Sequence, residues 1–394
     1  MELEKDKTPY QKIDITLVLI ILILATVSLF AIYSAQPSLP AKLQNVNFVG
    51  KQVLWYVIGF IAIGVTMIID FDRFKNFSWY LYGFGLILLL GLEVLGPSKI
   101  APEINGAVSW YVLPVIGNFQ PAELMKIFLI ILLSQIIAKH NEIYPDNRTI
   151  REDFLLLGKL VGTTIVPLLL ILKQPDLGTA IVIAAILGSL LLVSGIKWRI
   201  LFATGATVIA FIVLLVFIYF SNPDFIKTYI LKEHQMNRFY GWLAPHEFSS
   251  NYGFQLVKSL LAIGSGQLQG KGLMNGQVYF PEAHTDFIFA VIGEQFGFIG
   301  ASIVISLFFL LVYRMIHTAL ESHDPFGSYL CTGVIGMITF QVFQNIGMTI
   351  QLMPITGITL PFISYGGSSL LTSMIAVGVV LNVRSRTRKY MFGD

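Results

Sequence analysis

Hydrophobic residues in this chain come in blocks of about 17 to 25, broken by polar or Gly/Pro-rich stretches. A helix rises about 1.5 Å per residue, so about 20 apolar residues cross a bilayer core of about 30 Å. The blocks show no strict period-2 alternation, which argues against an outer-membrane barrel. Of 394 residues, 55% are hydrophobic and only 12% charged, against roughly 25% charged in a soluble domain. Mean hydropathy is +0.74. The expected fold is all-α and polytopic, one integral membrane domain over 1–394.

Ten spans are expected, at 15–33, 53–69, 77–95, 122–138, 155–172, 178–194, 200–220, 286–313, 328–350 and 369–383. An even number puts both termini on one side, and the basic residues of the short loops tell which. With the termini inside, the inner segments hold fifteen: Lys5, Lys7, Lys12, Arg73, Lys75, Lys139, Arg148, Arg151, Lys197, Arg199, Arg314, Arg384, Arg386, Arg388 and Lys389. The short outer loops hold four: Lys42, Lys51, Lys99 and Lys173. Both termini are therefore expected in the cytoplasm.

The net charge of +3 comes with no basic stripe away from the segment ends, so no nucleic-acid partner is expected. The single Cys331 excludes a disulfide framework and a soft-metal cluster. The first apolar block is long enough to span and lacks a small-residue cleavage site, so it does not read as a signal peptide. Two outer segments are long. The first, 96–121, contains Asn105-Gly106-Ala107-Val108-Ser109-Trp110-Tyr111, with aromatic residues suited to the interfacial belt. The second, 221–285 between spans seven and eight, is too long for a plain connector. Its glycine, aromatic and apolar content argues against disorder, and 256–263 reads as a short interfacial helix.

Ionisable residues at span ends are informative, because each costs a few kcal/mol in lipid unless paired or hydrated. Glu123 and Lys126 open the fourth span, and Lys173 and Asp176 follow the fifth. Glu282, His284 and Asp286 lead into the eighth, while Gln344, Asn345 and Gln351 lie near the end of the ninth. All fall at the outer face, so four hairpins bring polar residues to one depth. Simpler readings stay open for each. End charges snorkel to headgroups, and Glu123 and Lys126, three apart, can neutralise one another. Glu294, two turns deeper, suits either a structural hydrogen bond or a proton relay. Asp286 suits a helix N-cap as well as a catalyst, and spacing does not separate the two.

The run Pro281-Glu282-Ala283-His284-Thr285-Asp286-Phe287-Ile288-Phe289, followed by Gly293-Glu294-Gln295-Phe296-Gly297, resembles the signature of the SEDS family (shape, elongation, division and sporulation proteins). So do Gln174-Pro175-Asp176-Leu177-Gly178-Thr179-Ala180 and Phe119-Gln120-Pro121-Ala122-Glu123-Leu124-Met125-Lys126. So does the run 352–369, which opens Leu352-Met353-Pro354-Ile355-Thr356-Gly357 and closes Ser364-Tyr365-Gly366-Gly367-Ser368-Ser369. The motifs follow the family's order and span most of the chain. The stretch 340–349, Phe340-Gln341-Val342-Phe343-Gln344-Asn345-Ile346-Gly347-Met348-Thr349, resembles RodA more than FtsW. Ser109 before Trp110 departs from the pattern, since many relatives have Arg there. A phosphate contact is not carried over to it, and Arg238 or Lys258 are the candidate substitutes.

The resemblance implies the SEDS fold and a peptidoglycan glycosyltransferase. Such an enzyme polymerises lipid II, an undecaprenyl-pyrophosphoryl disaccharide-peptide, outside the bacterial cytoplasmic membrane during cell-wall elongation. It also implies a class B penicillin-binding protein as partner, within the elongation or division machinery. The family's essential aspartate corresponds to Asp286. The expected substrate-binding set is Lys126, Glu123, Lys173, Asp176, Arg238, Glu282, His284, Ser364 and Ser368. The α-linked donor becomes β-linked in the glycan, so the transfer inverts and needs one base. Inverting glycosidases also need an acid for a poor leaving group. Pyrophosphate leaves without a proton, and charge stabilisation takes the acid's place. A divalent cation, Mg²⁺, is expected to be held mainly by substrate phosphates and water, because no dense carboxylate cage is visible. The Gly-rich run 264–272 reads either as a hinge for the long outer segment or as a surface turn. The rival functions are a lipid II flippase and a non-catalytic scaffold. Against the flippase, the polar residues gather at one face, whereas alternating-access sites lie near the midplane.

Overall fold

The computed structural model describes residues 13–387, except 104–106, 114–116, 145–147, 222–232 and 280–281. Lys5, Lys7, Lys12, Arg388 and Lys389 of the basic tally, Asn105 and Gly106, and Pro281 of the signature lie outside the described residues. The helices are α1 (Ile15–Ala35), α2 (Phe48–Ile68), α3 (Phe71–Leu95), α4 (Pro121–Ile143), α5 (Ile150–Lys173), α6 (Leu177–Val193) and α7 (Trp198–Ser221). They continue with α8 (Glu233–Leu243), α9 (Phe254–Gly266), α10 (Ile288–Glu321), α11 (Pro325–Thr349) and α12 (Gly367–Arg386). Among the described residues nine helices are long and apolar enough to cross a membrane, and the apolar α6 has 17 residues. Together they occupy the ten expected spans. The expected interfacial helix is α9, joined by α8 in the same outer segment. A short antiparallel hairpin, β1 (Tyr111–Leu113) and β2 (Gly117–Phe119), was not expected and precedes α4.

Helix starts follow capping rather than hydropathy. Asn47 accepts from Gly50 N at 2.7 Å, so α2 begins before its apolar run. Asp70 caps α3, whose charged first turn with Asp72, Arg73 and Lys75 is helical although it is not apolar. Thr149 and Glu152 form a capping box at α5.

Two helices occupy the middle of the bundle. The apolar stretches of α4 and α12 are 78% and 72% buried, against 6% for α7. Helices apolar on every side suit such central places. Small residues allow the closest approach. A Cβ on Gly378 of α12 would lie 3.2 Å from the Cα of Ile63, and one on Gly367 would lie 2.0 Å from the Trp55 ring.

The helix α10 is broken at Gly297, whose φ of 63° is left-handed. The break frees backbone groups on both sides, and the Gly-rich run takes them up. Lys271 N and Gly272 N donate to the carbonyls of Glu294 and Gln295, each at 3.0 Å, and Phe298 N and Ile299 N donate to those of Gln267 and Leu268. A Cβ on Gly270 would fall 2.2 Å from the Gln295 carbonyl. The run packs into a broken membrane helix, which neither sequence alternative described. Glu294 takes the structural role: buried, it accepts from Lys271 Nζ at 2.7 Å, Gln277 N at 2.8 Å and Val278 N at 3.1 Å. Gln295 accepts from Met274 N and donates to the Ser34 carbonyl of α1.

Candidate functional site

The backbone around Asp286 is fixed at three consecutive carbonyls. That of His284 accepts from Tyr365 N at 2.9 Å, that of Thr285 from Ser364 Oγ at 2.7 Å, and that of Asp286 from Asn345 Nδ2 at 2.7 Å. The donors belong to the C-terminal motif and to the end of α11. Asn345 also reaches the Ile358 carbonyl, and Gln344 donates to Pro354 O and Thr356 Oγ1. The C-terminal loop is held in turn by buried polar residues of α1 and α2. Ser28 donates to the Ile363 carbonyl, Gln52 to that of Ser364 and Tyr56 to that of Phe362. Sequence reasoning missed these three. Their signal was present, as polar side chains inside apolar spans.

The Asp286 side chain has no such duty. The residue next to α10 at its start is Phe287, and no side chain caps that helix. The capping reading therefore fails for Asp286, whereas Asp176 does cap α6, accepting from Thr179 N at 2.9 Å. Among the described residues no hydrogen bond reaches the Asp286 carboxylate. Gly357, with φ 76°, lies alongside it: a Cβ there would stand 3.3 Å from Asp286 Oδ2 and 3.9 Å from Arg238 NH1. Only a glycine takes that conformation without strain and leaves that space open.

Burial lifts the Asp286 carboxyl to about 8, with Glu282 and Asp176 adding repulsion and the Arg238 guanidinium opposing both. Arg238, exposed on α8, donates to the Thr356 carbonyl at 3.1 Å. Glu282 accepts from Thr285 Oγ1 at 2.8 Å, within the turn that leads to Asp286. His284 is buried between Phe48, 4.5 Å away, and Tyr365. Burial pulls its pKa below the usual range, so the ring is neutral.

The remaining expected residues divide between the site and its frame. Asp176 ties Gln120 at the start of α4 to α6, accepting from Gln120 Nε2 at 2.8 Å. Glu123 and Lys126 are 7% and 1% exposed and pair at 2.9 Å, so they neutralise each other and do not snorkel. Lys173 is exposed and pairs with Glu93 of α3. Ser364 accepts from Leu360 N while donating to Thr285, and Ser368 accepts from Gln120 N at 3.0 Å. Both hydroxyls are committed to backbone. Ser109 is buried and donates to the Gln174 carbonyl, and Lys258 lies over the Phe254 ring.

A family model described as a cell cycle protein, covering FtsW, RodA and SpoVE, matches residues 15–389. The chain belongs to the SEDS family. It is 34% identical over 380 residues to a probable peptidoglycan glycosyltransferase FtsW of Geobacter sp. (strain M18), covering 95% of this chain and 97% of that protein. It is 35% identical to stage V sporulation protein E of Bacillus subtilis (strain 168), covering 96% and 98%. Among solved structures, one chain from work on a peptidoglycan synthase complex that coordinates polymerization and crosslinking superposes with a TM-score of 0.76 at 28% identity, covering 94% and 97%. The RodA of Thermus thermophilus superposes with a TM-score of 0.66 at 27% identity, covering 96% and 98%.

In this SEDS chain the stretch 340–349 is the end of α11, where Asn345 holds the Asp286 carbonyl and Gln344 holds the C-terminal loop. The curated relatives named here carry the FtsW and SpoVE names, and RodA enters through the solved structures. For a divalent cation, the described residues contain no group of three or more His, Cys, Asp or Glu side chains. The donor set offers hard oxygens at Asp286, with Glu282 close in charge. That fits a Mg²⁺ completed by substrate phosphates and water, and not a protein-enclosed cage.

Proposed function

We propose that this SEDS protein is a peptidoglycan glycosyltransferase that polymerises lipid II at the outer face of the bacterial cytoplasmic membrane, with Asp286 as general base. One observation carries the reading: the backbone of Asp286 is pinned while, among the described residues, its carboxylate takes no hydrogen bond and its pKa is raised to about 8. A base is most effective when its pKa lies near the working pH. The excess of basic residues on the inner side supports an outward-facing site with both termini in the cytoplasm.

In the transfer, the 4-hydroxyl of the acceptor's terminal GlcNAc attacks the anomeric carbon of the donor. Asp286 takes the hydroxyl proton as the new C–O bond forms. The bond from the anomeric carbon to pyrophosphate breaks, and the leaving group departs with the electron pair as undecaprenyl pyrophosphate. Attack opposite the leaving group converts the α-linked donor to a β-linkage. Arg238, exposed beside Asp286, offsets the negative charge that gathers on the leaving group. Mg²⁺, when bound with the substrate, would add charge neutralisation at the phosphates. A lipid-linked donor fits a site at the outer helix ends, where the polyprenyl chain stays in the bilayer. The named relatives and the synthase complex support a cell-wall role beside a class B penicillin-binding protein.

The test is polymerisation of lipid II in detergent by the purified protein with its penicillin-binding partner, read on a glycan gel. Wild type should give polymer. Asp286→Asn should lose about 10²-fold or more of the rate while eluting as a folded protein. A variant polymerising at the wild-type rate would remove Asp286 from its role. Lipid II crossing liposomes without polymer would favour the flippase.

A further inference from the structure

A second polar cluster lies at the opposite end of the bundle from Asp286. A cavity of about 290 Å³ opens between the inner parts of α3, α4 and α5. Lys139 and His140 line it from α4, Lys159 from α5 and Trp79 from α3. Ile136 and Ile143 give it apolar walls. Lys159 stands nine residues beyond Ile150, the first residue of α5, which is about 13 Å along the axis. An ammonium at that depth is costly unless a negative group or water meets it.

Among the described residues no acid is paired with Lys159, and Lys139 has no ion pair either. His140 is 2% exposed, and neither ring nitrogen has a hydrogen-bond partner. The acids whose charge reaches that ring are turned elsewhere: Glu152 accepts from Thr149 N at 2.7 Å, and Asp153 faces Lys197 at 3.9 Å. Two cations without an ion pair and a buried imidazole without a hydrogen-bond partner thus share a cleft completed by Ile136, Ile143, Trp79 and the neutral Gln135 and Thr163. This is the donor set for a phosphodiester anion that brings its own apolar tail.

We propose that this cleft binds an anionic phospholipid of the cytoplasmic leaflet through its headgroup phosphate. Lys139 and Lys159 neutralise the phosphate, as basic pockets between membrane helices do. An imidazole N–H of His140 donates to it. Trp79 lines the same cleft and offers an amphipathic ring, a residue type that membrane interfaces favour. A soluble phosphate would leave the exposed Ile143 and the exposed apolar face of α5 at Phe154 and Leu155 uncovered, and an acyl chain covers them. The leaflet follows from the orientation read from the basic residues. The binding itself does not depend on that orientation, nor on the glycosyltransferase reading.

Native mass spectrometry of the detergent-purified full chain tests this, with phosphatidylglycerol as probe, phosphatidylcholine as control and inorganic phosphate as competitor. Phosphatidylglycerol should fill one site about tenfold or more tighter than phosphatidylcholine. Lys139→Gln and Lys159→Gln should each weaken it by about fivefold. Lys42→Gln/Lys99→Gln, which removes two exposed charges from outer loops, should leave it unchanged. Equal retention of the two lipids by wild type would overturn the proposal. So would an unaltered phosphatidylglycerol affinity in Lys139→Gln/Lys159→Gln, or displacement of the lipid by inorganic phosphate. Circular dichroism and a single elution peak confirm that the variants keep the fold.

Discussion

Asp286 carries a cost along with its role. Its carboxyl sits at about 8 in the folded chain, against an ordinary value of 3.8. The folded chain therefore holds this proton more tightly than the unfolded one, and stability falls as pH rises from about 3.8 through about 8. Asp286→Asn removes the ionisation. At about pH 8 it should unfold at a higher temperature than wild type, a gain on the order of 1–3 kcal/mol once partial exposure is discounted. The gain should vanish near pH 4, where both proteins are neutral at this position; equal melting temperatures at both pH values would contradict the burial argument. Catalysis runs the other way, because the base form is the ionised one. The acid limb of kcat/KM should rise with pH and level off above about 8. Glu282→Gln removes a repelling charge and should move that limb to lower pH. Arg238→Gln removes the opposing cation and should move it higher. One limb shared by all three proteins would mean that another group titrates.

Elements were more legible than their joints. Hydropathy located the spans among the described residues, because lipid imposes a length rule on a single helix at a time. The joints depend on distant partners. Ser28, Gln52 and Tyr56 interrupt apolar spans visibly, yet the carbonyls they hold lie 335, 312 and 306 residues away. The motif around Asp286 was legible as a motif, while the proof that it is not a cap needed the start of α10. The break at Gly297 was hidden for the same reason: only the run 267–272 makes a left-handed residue affordable inside a membrane helix. A Cβ at Gly297 would lie 2.4 Å from Gly270 N. Gly297→Ala should therefore cost about 2–3 kcal/mol or more, read as a lower melting temperature and faster proteolysis within 267–278. Glu294→Gln should loosen the same segment through loss of Lys271, with melting less affected than in Gly297→Ala.

At the scale of the molecule, the decisive fact is that α4 stands in the middle while α7 stands at the rim. A charge at the end of a rim helix can reach headgroups, but Glu123 and Lys126 on α4 have only each other among the described residues. Such a pair gains its attraction against the desolvation of both partners, so its net worth is small while the loss of one partner is severe. Lys126→Met, which strands a buried carboxylate, should cost about 3–5 kcal/mol. Glu123→Gln/Lys126→Met, which strands no charge, should recover most of that loss. Thermal unfolding of wild type, both single variants and the double variant gives the coupling between the two sites. A large positive coupling fits a pair that completes the centre of the bundle beneath Gln120 and Asp176. Additive losses would mean that water or another group already reaches the pair, and α4 would then be open to the site above it. The same double variant also tests the chemistry: with the fold restored, its rate of lipid II polymerisation measures what these two charges add to transfer beyond holding α4 in place.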